Sequence, residues 1–239
     1  MKLIAISDPH LPSGNESIAH FDANGNFMKA ISTIRNKQFD ALVILGDVAY
    51  KNANEYSYQL FLNGLNAISQ NIYCLPGNHD EWDILYKTMH TRIQNTTSGF
   101  EHSFASTPFL FVDSSSGTMS IQHIEKFLKK HKSQAVYLCA HHPIISTQAQ
   151  YMEQRYALSN RHEVCALLET HSAPVTIISG HYHCSTESVH KNIRQIVVPS
   201  LLYQIPLTAK RFAIDKRFGF CEITIDSNAE CEVTTVWLE

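Results

Sequence analysis

Five short polar motifs interrupt this 239-residue chain, and each follows an apolar run of the kind that forms a buried strand. The motifs are DPH at 8–10, GD at 46–47, GNHD at 77–80, HHP at 141–143 and GHYH at 180–183. Apolar runs at 3–7, 40–45 and 71–75 alternate with amphipathic helical patterns at 22–37 and 55–69. This alternation predicts a β-α-β-α-β core with mostly parallel strands, in which ligands bind beyond the carboxyl ends of the strands.

The rest of the chain predicts a second sheet with further helices. Strands are predicted at 100–104, 109–113, 135–140 and 175–179, and helices at 82–90, 121–131 and 161–171. The last four strands are predicted at 185–190, 193–198, 218–225 and 231–237. Their alternating patterns predict antiparallel pairing with one another in the second sheet. We therefore expect a single α/β domain over residues 1–239, with two stacked mixed β-sheets flanked by helices.

Composition excludes several classes of partner. The chain is 44% hydrophobic and 17% charged, as expected of a globular protein, and its net charge of −3 argues against a nucleic-acid partner. The basic segment 126–132 is interpreted as the solvated face of a helix. Six scattered cysteines form no CxxC pair, and no apolar run reaches the length of a membrane span. We therefore expect a cytoplasmic protein without a membrane partner.

All five motifs supply oxygen or imidazole nitrogen donors, and none relies on cysteine. A carboxylate such as Asp47 can bridge two cations, while imidazoles and an amide oxygen fill the outer positions. One residue separates Asp8 from His10, and one separates His181 from His183, so on extended segments each pair points to one side. The sequence thus predicts a site for two metal ions, with the candidate ligands Asp8, His10, Asp47, Asn78, His141, His181 and His183.

Each motif taken alone has an ordinary structural explanation. Asp8 and Asp47 could cap helices that follow their strands, and the GNHD segment could be a plain turn. A metal site would be absent only if all of these explanations were true at once, so the presence of all five motifs favours metal binding. Outside the ligand set, His142 is expected to be an ordinary polar residue, with support of a ligand or contact with substrate as the alternative, and Arg155 and Arg161 are expected to be structural or solvated.

The order of the motifs resembles the pattern of the calcineurin-like metallophosphoesterase superfamily, which runs D-x-H, GD, GNH(D/E), H-x-P and GHxH. The matching blocks span residues 8–183. The short chain, the ISDPHL opening, the AHHPI block and the VPSLLYQ segment most resemble bacterial class III cyclic-nucleotide phosphodiesterases and glycerophosphodiesterases. The resemblance implies a four-layer αββα sandwich and a dinuclear centre, whose ligands suit manganese, iron, zinc or cobalt.

The resemblance also implies a role for each matching residue. The first ion would be held by Asp8, His10, Asp47 and His183. The second ion would be held by Asp47, Asn78, His141 and His181. Hydroxide activated by the metals would attack phosphorus. His79 would be the catalytic residue that helps the leaving oxygen depart, with Asp80 orienting it or a ligand, and Asn78 and His79 would contact substrate.

These roles predict an enzyme that hydrolyses a small phosphodiester, with 3′,5′-cyclic AMP as the leading candidate. A glycerophosphodiester, a phosphomonoester or a nucleotide is the alternative substrate. A non-catalytic interaction scaffold of the same fold is a further alternative, which the intact ligand set argues against. Substrate choice is expected to depend on the loops 11–22, 48–55, 146–160 and 201–216. The superfamily includes monomers and dimers, so a homodimer stays open.

Overall fold

The computed structural model describes residues 1–14, 18 and 21–238, which include every predicted site residue, whereas the loop 11–22 lies partly outside the described residues. The strands are β1 (Lys2–Ile6), β2 (Ala41–Ile44), β3 (Asn71–Cys74), β4 (Phe100–Phe104), β5 (Thr107–Val112), β6 (Val136–Ala140), β7 (Val175–Ser179), β8 (Thr186–His190), β9 (Ile193–Val197), β10 (Phe218–Ile225) and β11 (Cys231–Leu238). The helices are α1 (Ala23–Ile34), α2 (Glu55–Leu65), α3 (Trp82–Met89), α4 (Ile121–Lys130), α5 (Gln150–Tyr156) and α6 (Arg161–Glu169). None of the helices in the described ranges has both the length and the apolarity needed to cross a membrane.

The strands form two mixed sheets, as predicted. The first has the order β11-β10-β1-β2-β3 and the second the order β4-β5-β6-β7-β9-β8. In the first sheet β1, β2 and β3 run parallel to one another. In the second sheet β5, β6, β7 and β9 are likewise parallel neighbours. Both outer strand pairs of the second sheet and the β10–β11 pair of the first sheet are antiparallel, whereas β3 forms a parallel edge of the first sheet.

One predicted pairing is wrong. β8 and β9 pair antiparallel in the second sheet, but β10 and β11 belong to the first sheet, where β10 lies antiparallel to β1. Hydrophobic alternation identified these strands without identifying their partners, because the choice of partner depends on how buried faces pack in the tertiary structure. The chain crosses from one sheet to the other between β9 and β10.

Side chains on the two faces of each sheet enter different cores, which places the helices outside. On β1, Leu3 and Ala5 face the second sheet and share a core with Phe109 of β5. Ile4 and Ile6 point the other way, into a core with α1, α2 and α3. A further core packs α4 and α6 on the outer face of the second sheet. The order of layers is helix, sheet, sheet, helix, which confirms the αββα prediction.

The helices that follow β1 and β2 begin at polar capping residues other than Asp8 and Asp47. Asp22 and Asn54 accept hydrogen bonds of 2.8 Å from the amide three residues further on, at the starts of α1 and α2. Such caps satisfy N–H groups that the first helical turn leaves unpaired. Since other residues cap the helices that follow β1 and β2, the helix-cap interpretation of Asp8 and Asp47 is wrong.

A short helix, α5, interrupts a segment that has no helical pattern in the sequence. Its Met152 is buried against Ile205, in the connection that follows β9. The carboxylate of Glu153 accepts a 2.9 Å hydrogen bond from the hydroxyl of Thr147. A helix of seven residues is unstable in isolation, so these tertiary contacts stabilise it.

The carboxyl ends of the parallel strands of both sheets meet at one edge of the sandwich. Ser7, just after β1, pairs with Ser200, and the amide of Leu201 donates a 3.0 Å hydrogen bond to the carbonyl of Ser7. Gly180, just after β7, packs so closely on the side chain of Ser7 that a Cβ atom would collide with it. All five polar motifs follow strands that end at this edge.

Candidate metal centre

The structure brings the seven predicted ligand residues together in two adjoining clusters. Six of them are buried, and Asn78 is exposed to the cavity above the clusters. In the first cluster, Nε2 of His10 and Nε2 of His183 lie 3.0 Å apart. Asp8 Oδ1 lies 3.4 Å from Nε2 of His183, and Asp47 Oδ2 lies 3.8 Å from Nε2 of His10. These are the four residues expected for the first ion.

The second cluster surrounds Nε2 of His141. This nitrogen lies 3.3 Å from Asp47 Oδ2, 3.2 Å from Asn78 Oδ1 and 3.1 Å from His181 Nδ1. The same Asp47 oxygen therefore belongs to both clusters. These are the four residues expected for the second ion, and Asp47 occupies the bridging position between the two sets.

Each aspartate uses one oxygen to anchor itself and directs the other into the site. Asp47 Oδ1 accepts a 2.9 Å hydrogen bond from the amide of His79, and Asp8 Oδ2 accepts a 3.0 Å hydrogen bond from the amide of His181. Asp8 Oδ1 is buried and has no hydrogen-bond partner within the described residues. Because a buried carboxylate oxygen without a partner is costly, a cation is the fitting partner for it.

Hydrogen bonds on the far side of the rings set which nitrogen of three ligand histidines faces the site. The contacts are 2.7 Å from His141 Nδ1 to the Leu45 carbonyl, 2.9 Å from His181 Nε2 to the Tyr156 carbonyl and 3.2 Å from His183 Nδ1 to the Tyr203 carbonyl. A carbonyl oxygen only accepts, so the hydrogen of each neutral ring lies on the outer nitrogen. The inner nitrogen then offers its lone pair to the cluster, as in metal sites.

The donor set fits two cations. When both rings are neutral, the inner nitrogens of His141 and His181 are hydrogen-bond acceptors. They converge with the oxygens of Asp47 and Asn78, which also only accept, so no donor lies among these four atoms. Burial lowers the pKa of His141, but the Asp47 carboxylate is the main group that outweighs burial and raises this pKa to about 9, so positive charge is favoured there. Burial lowers the pKa of His10 and His181 to about 4, so both rings are neutral at pH 7, as ligands must be.

Five ligands have a left-handed backbone conformation. The φ angles are 54° at Asp8, 45° at His10, 52° at Asp47, 65° at His181 and 49° at His183. Left-handed backbone costs a residue with a Cβ about 1–2 kcal/mol, and such strain concentrates at functional sites. The expectation that the two i, i+2 pairs project from extended segments is therefore wrong. Each strand has ended before its pair begins, and the positive φ angles turn both members into the site.

His79 lies beside the clusters, and about 35% of its side chain is exposed. Its Nδ1 is 2.7 Å from the carbonyl of Lys51, and its Nε2 is 4.0 Å from Asp47 Oδ2. The carbonyl holds a hydrogen on Nδ1 and leaves Nε2 for a substrate. Asn78 and His79 both line the cavity above the metal ligands.

Asp80 is buried beneath the ligand loops. Its oxygens accept hydrogen bonds of 2.9–3.1 Å from the amides of Val48, Ala49 and Gly77 and from the hydroxyl of Tyr58. These amides adjoin Asp47 and Asn78, so Asp80 holds two ligand-bearing loops together. These contacts favour a positioning role for Asp80. The ring of His79 is oriented by the carbonyl of Lys51 and not by Asp80. A catalytic role for Asp80 stays a prediction.

The residues left outside the ligand set have packing contacts. The ring of His142 lies behind the ring of His181, with 4.1 Å between their centroids. Arg155 Cζ lies 4.5 Å from the ring centroid of Tyr151, and Arg161 lies 3.7 Å from a carboxylate of α5. These contacts give His142 a supporting position and give both arginines partners within the fold.

A cavity of about 340 Å³ opens above the clusters. Sequence reasoning missed most of its walls, which include Tyr50, Tyr151, Met152, Tyr156, Leu202, Tyr203, Ile205 and Phe212. All of these residues lie in three loops expected to surround the site, 48–55, 146–160 and 201–216. Their aromatic content was the available signal. A periodic pattern could not locate them, because an irregular segment has no periodicity to show which side chains face inward.

Replacing the shared ligand should have a different effect on metal content from replacing the neighbouring histidine. We expect Asp47→Ala to lose most of the bound metal, since it removes an oxygen from both clusters, whereas His79→Ala should retain about two ions per chain. Metal content after dialysis, measured by plasma mass spectrometry, checks this, with His90→Ala as the exposed-histidine control. Equal losses in the Asp47 and His79 variants would contradict the assignment.

Asp80→Asn should destabilise the protein, because the amide nitrogen replaces an oxygen that accepts hydrogen bonds from buried donors. We expect the free energy of unfolding of the metal-free protein to fall by about 1–3 kcal/mol. Urea denaturation measures this, and Asp83→Asn, three residues further on and exposed, is the matched control. If the two variants unfold at the same urea concentration, Asp80 does not hold the ligand loops.

Comparison with known proteins identifies the family of this chain. Residues 1–185 match the family model of the calcineurin-like phosphoesterases. A probable cyclic nucleotide phosphodiesterase of Fibrobacter succinogenes is 27% identical, covering 86% of this chain and 81% of its own. A 3′,5′-cyclic adenosine monophosphate phosphodiesterase of Vibrio vulnificus is 27% identical, covering 96% of this chain and 87% of its own. Other relatives are named glycerophosphodiester phosphodiesterases.

A dimetal phosphatase from Danio rerio shares the fold with a TM-score of 0.69, at 13% identity over 98% of both chains. Since the family model covers most of its length, this chain belongs to the calcineurin-like phosphoesterase family.

Proposed function

We propose that this protein is a dinuclear metal-dependent phosphodiesterase that hydrolyses a 3′,5′-cyclic nucleotide, with cyclic AMP as the leading candidate. The observation that carries the proposal is the carboxylate of Asp47, whose Oδ2 is shared by two donor clusters on the floor of one cavity. A pair of cations held in this way can clamp the attacking and leaving oxygens of an in-line displacement at phosphorus.

The chain's own residues orient the groups that react. When bound, the two ions would polarise the phosphoryl group and make water nucleophilic at neutral pH. Asn78 and His79 line the cavity next to the ligands, which supports a role for both in contacting the phosphate oxygens. The Lys51 carbonyl holds the Nδ1–H of His79, which leaves Nε2 to carry a second proton toward the substrate.

Proton transfer from His79 completes the reaction of a cyclic diester. Water loses one proton to solvent as its oxygen bonds to phosphorus, the bond from phosphorus to the 3′-oxygen breaks, and that oxygen takes the proton from Nε2 of His79. The product is a 5′-nucleotide. General acid catalysis of this kind contributes about 10²–10⁴-fold to the rate.

The choice of a cyclic nucleotide rests on the relatives and on the size of the site. Several relatives are named cyclic nucleotide phosphodiesterases, over most of the length of this chain. The cavity volume of about 340 Å³ lies within the range of small-molecule sites, about 300–1,000 Å³. Glycerophosphodiesters are the competing substrates, because two further relatives carry that name.

The identity of the ions and the location of the protein are part of the proposal. Carboxylate, amide and imidazole ligands suit manganese, iron, zinc or cobalt. All six cysteines have free thiols, and four of them are buried, which suits the reducing cytoplasm where a nucleotide substrate is met.

Hydrolysis by the metal-stripped protein, reloaded separately with manganese, iron, zinc or magnesium, tests the function. The substrates are cyclic AMP, bis(p-nitrophenyl) phosphate, glycerophosphocholine and p-nitrophenyl phosphate. We expect preferred turnover of cyclic AMP, and a loss of about 10²–10⁴-fold in kcat for His79→Ala with its metal retained. His90→Ala should behave as wild type. Preferred turnover of glycerophosphocholine would replace the substrate, and no turnover with any metal would overturn the enzymatic function.

A further inference from the structure

A row of aromatic rings in contact joins two of the metal ligands along the wall of the cavity. The row runs through His183, Tyr203, Phe212, Tyr151, Tyr156 and His181. Its first and last members are ligands from opposite clusters, and all six rings line the cavity. The row combines residues from the GHYH motif, from α5 and from the connection between β9 and β10. We refer to Tyr151, Tyr156, Tyr203 and Phe212 as the aromatic rim.

The rings of the rim touch at their edges and leave their faces largely uncovered by one another. Centroid distances from Tyr203 through Phe212 and Tyr151 to Tyr156 are 6.2, 5.9 and 6.1 Å, with interplanar angles of 83°, 54° and 56°. Phe212 is 51% exposed and Tyr156 is 47% exposed. Large exposed apolar side chains grouped at the mouth of a cavity mark a binding surface, because water contact with them is unfavourable.

Hydrogen bonds hold in place the two segments that carry the aromatic rim. The connection between β9 and β10 is closed at its base by two hydrogen bonds between Gln204 and Asp215, of 2.7 and 2.8 Å. The Gln204 side chain donates to two further carbonyls. The amide of Gln150, at the start of α5, donates a 3.2 Å hydrogen bond to the carbonyl of Leu207. The loop that carries Phe212 is therefore tied to the helix that carries Tyr151.

We propose that the aromatic rim is the subsite for the planar base of a nucleotide, with Phe212 as a specificity-determining residue. This inference rests on the proposed function and names the part of the site that selects the substrate. The row of rings begins and ends at ligands of the two clusters, so a phosphate held at the metal centre would place its attached nucleoside among the rings. A flat heterocycle can stack on an exposed ring face, whereas glycerol or choline has no flat face to offer.

Charge around the rim is consistent with an uncharged aromatic ligand. Arg155 stacks on Tyr151, with Cζ 4.5 Å from the ring centroid. The other members of the rim contribute phenol or phenyl rings, and no carboxylate other than the metal ligand Asp47 lines the cavity within the described residues. Such a wall distinguishes ligands by shape and stacking. It predicts a larger discrimination between a nucleotide and its base-free analogue than between two bases.

Calorimetric binding to the metal-loaded protein tests the subsite without requiring turnover. The probes are 5′-AMP and ribose 5-phosphate, which share the sugar phosphate and differ in the base. We expect 5′-AMP to bind wild type at least about ten-fold tighter, and Phe212→Ala to remove most of that difference while binding of ribose 5-phosphate is unchanged. Phe212→Tyr should keep the difference, and Ile214→Ala, an exposed apolar residue of the same loop outside the cavity wall, should also keep it.

The outcomes separate the subsite from the catalytic function. Equal affinity of wild type for the two probes, or an unchanged difference in Phe212→Ala, would overturn the subsite even if cyclic AMP is hydrolysed. A preference for 5′-AMP that disappears in Phe212→Ala would support the subsite even if the protein turns over no cyclic nucleotide. Since Phe212 is half exposed, its variants should fold, and an unchanged melting temperature verifies this.

Discussion

The burial of two carboxylates and four imidazoles at the junction of the two sheets is the constraint on which the rest of this structure depends. Asp8, His10 and Asp47 come from the end of the first sheet, and His141, His181 and His183 come from the end of the second. Burying so many acceptors together is unfavourable unless positive charge lies between them. Cations at this position would therefore also hold the two sheets together.

The fold supports this arrangement at the expense of local backbone preference. Five ligands have left-handed φ angles, and the strand ends beside them pack closely, as at Gly180 against Ser7. Gly77 allows the turn of the GNHD motif to approach Asp47 so closely that a Cβ atom would collide with the carboxylate. Asp80 adds four hydrogen bonds beneath the same loops. Rigid surroundings of this kind keep a strained site in one geometry.

The ligand set could be predicted from the sequence because each ligand follows a strand that ends at one edge of a parallel sheet. The chemistry of Asp47 and its place between neighbouring strands were enough to predict a bridging position. Other features depended on distant contacts. β10 and β11 carry the expected alternation, but their place beside β1 depends on which edge of which sheet was left open. α5 has no local pattern, and the contact of Met152 with Ile205 joins residues far apart in the chain.

The sequence by itself determined the candidate metal-ligand residues, the alternation of strands and helices and the family, since these depend on residue type and on short-range order along the chain. Only the tertiary structure decided what surrounds the metal centre. Tyr151 and Phe212 lie in irregular segments far apart in the sequence, and they meet because α5 and the loop after β9 pack on a shared apolar cluster. Side chains in such segments have no periodicity to show which way they face. The wall of the substrate cavity is therefore a property of the folded chain.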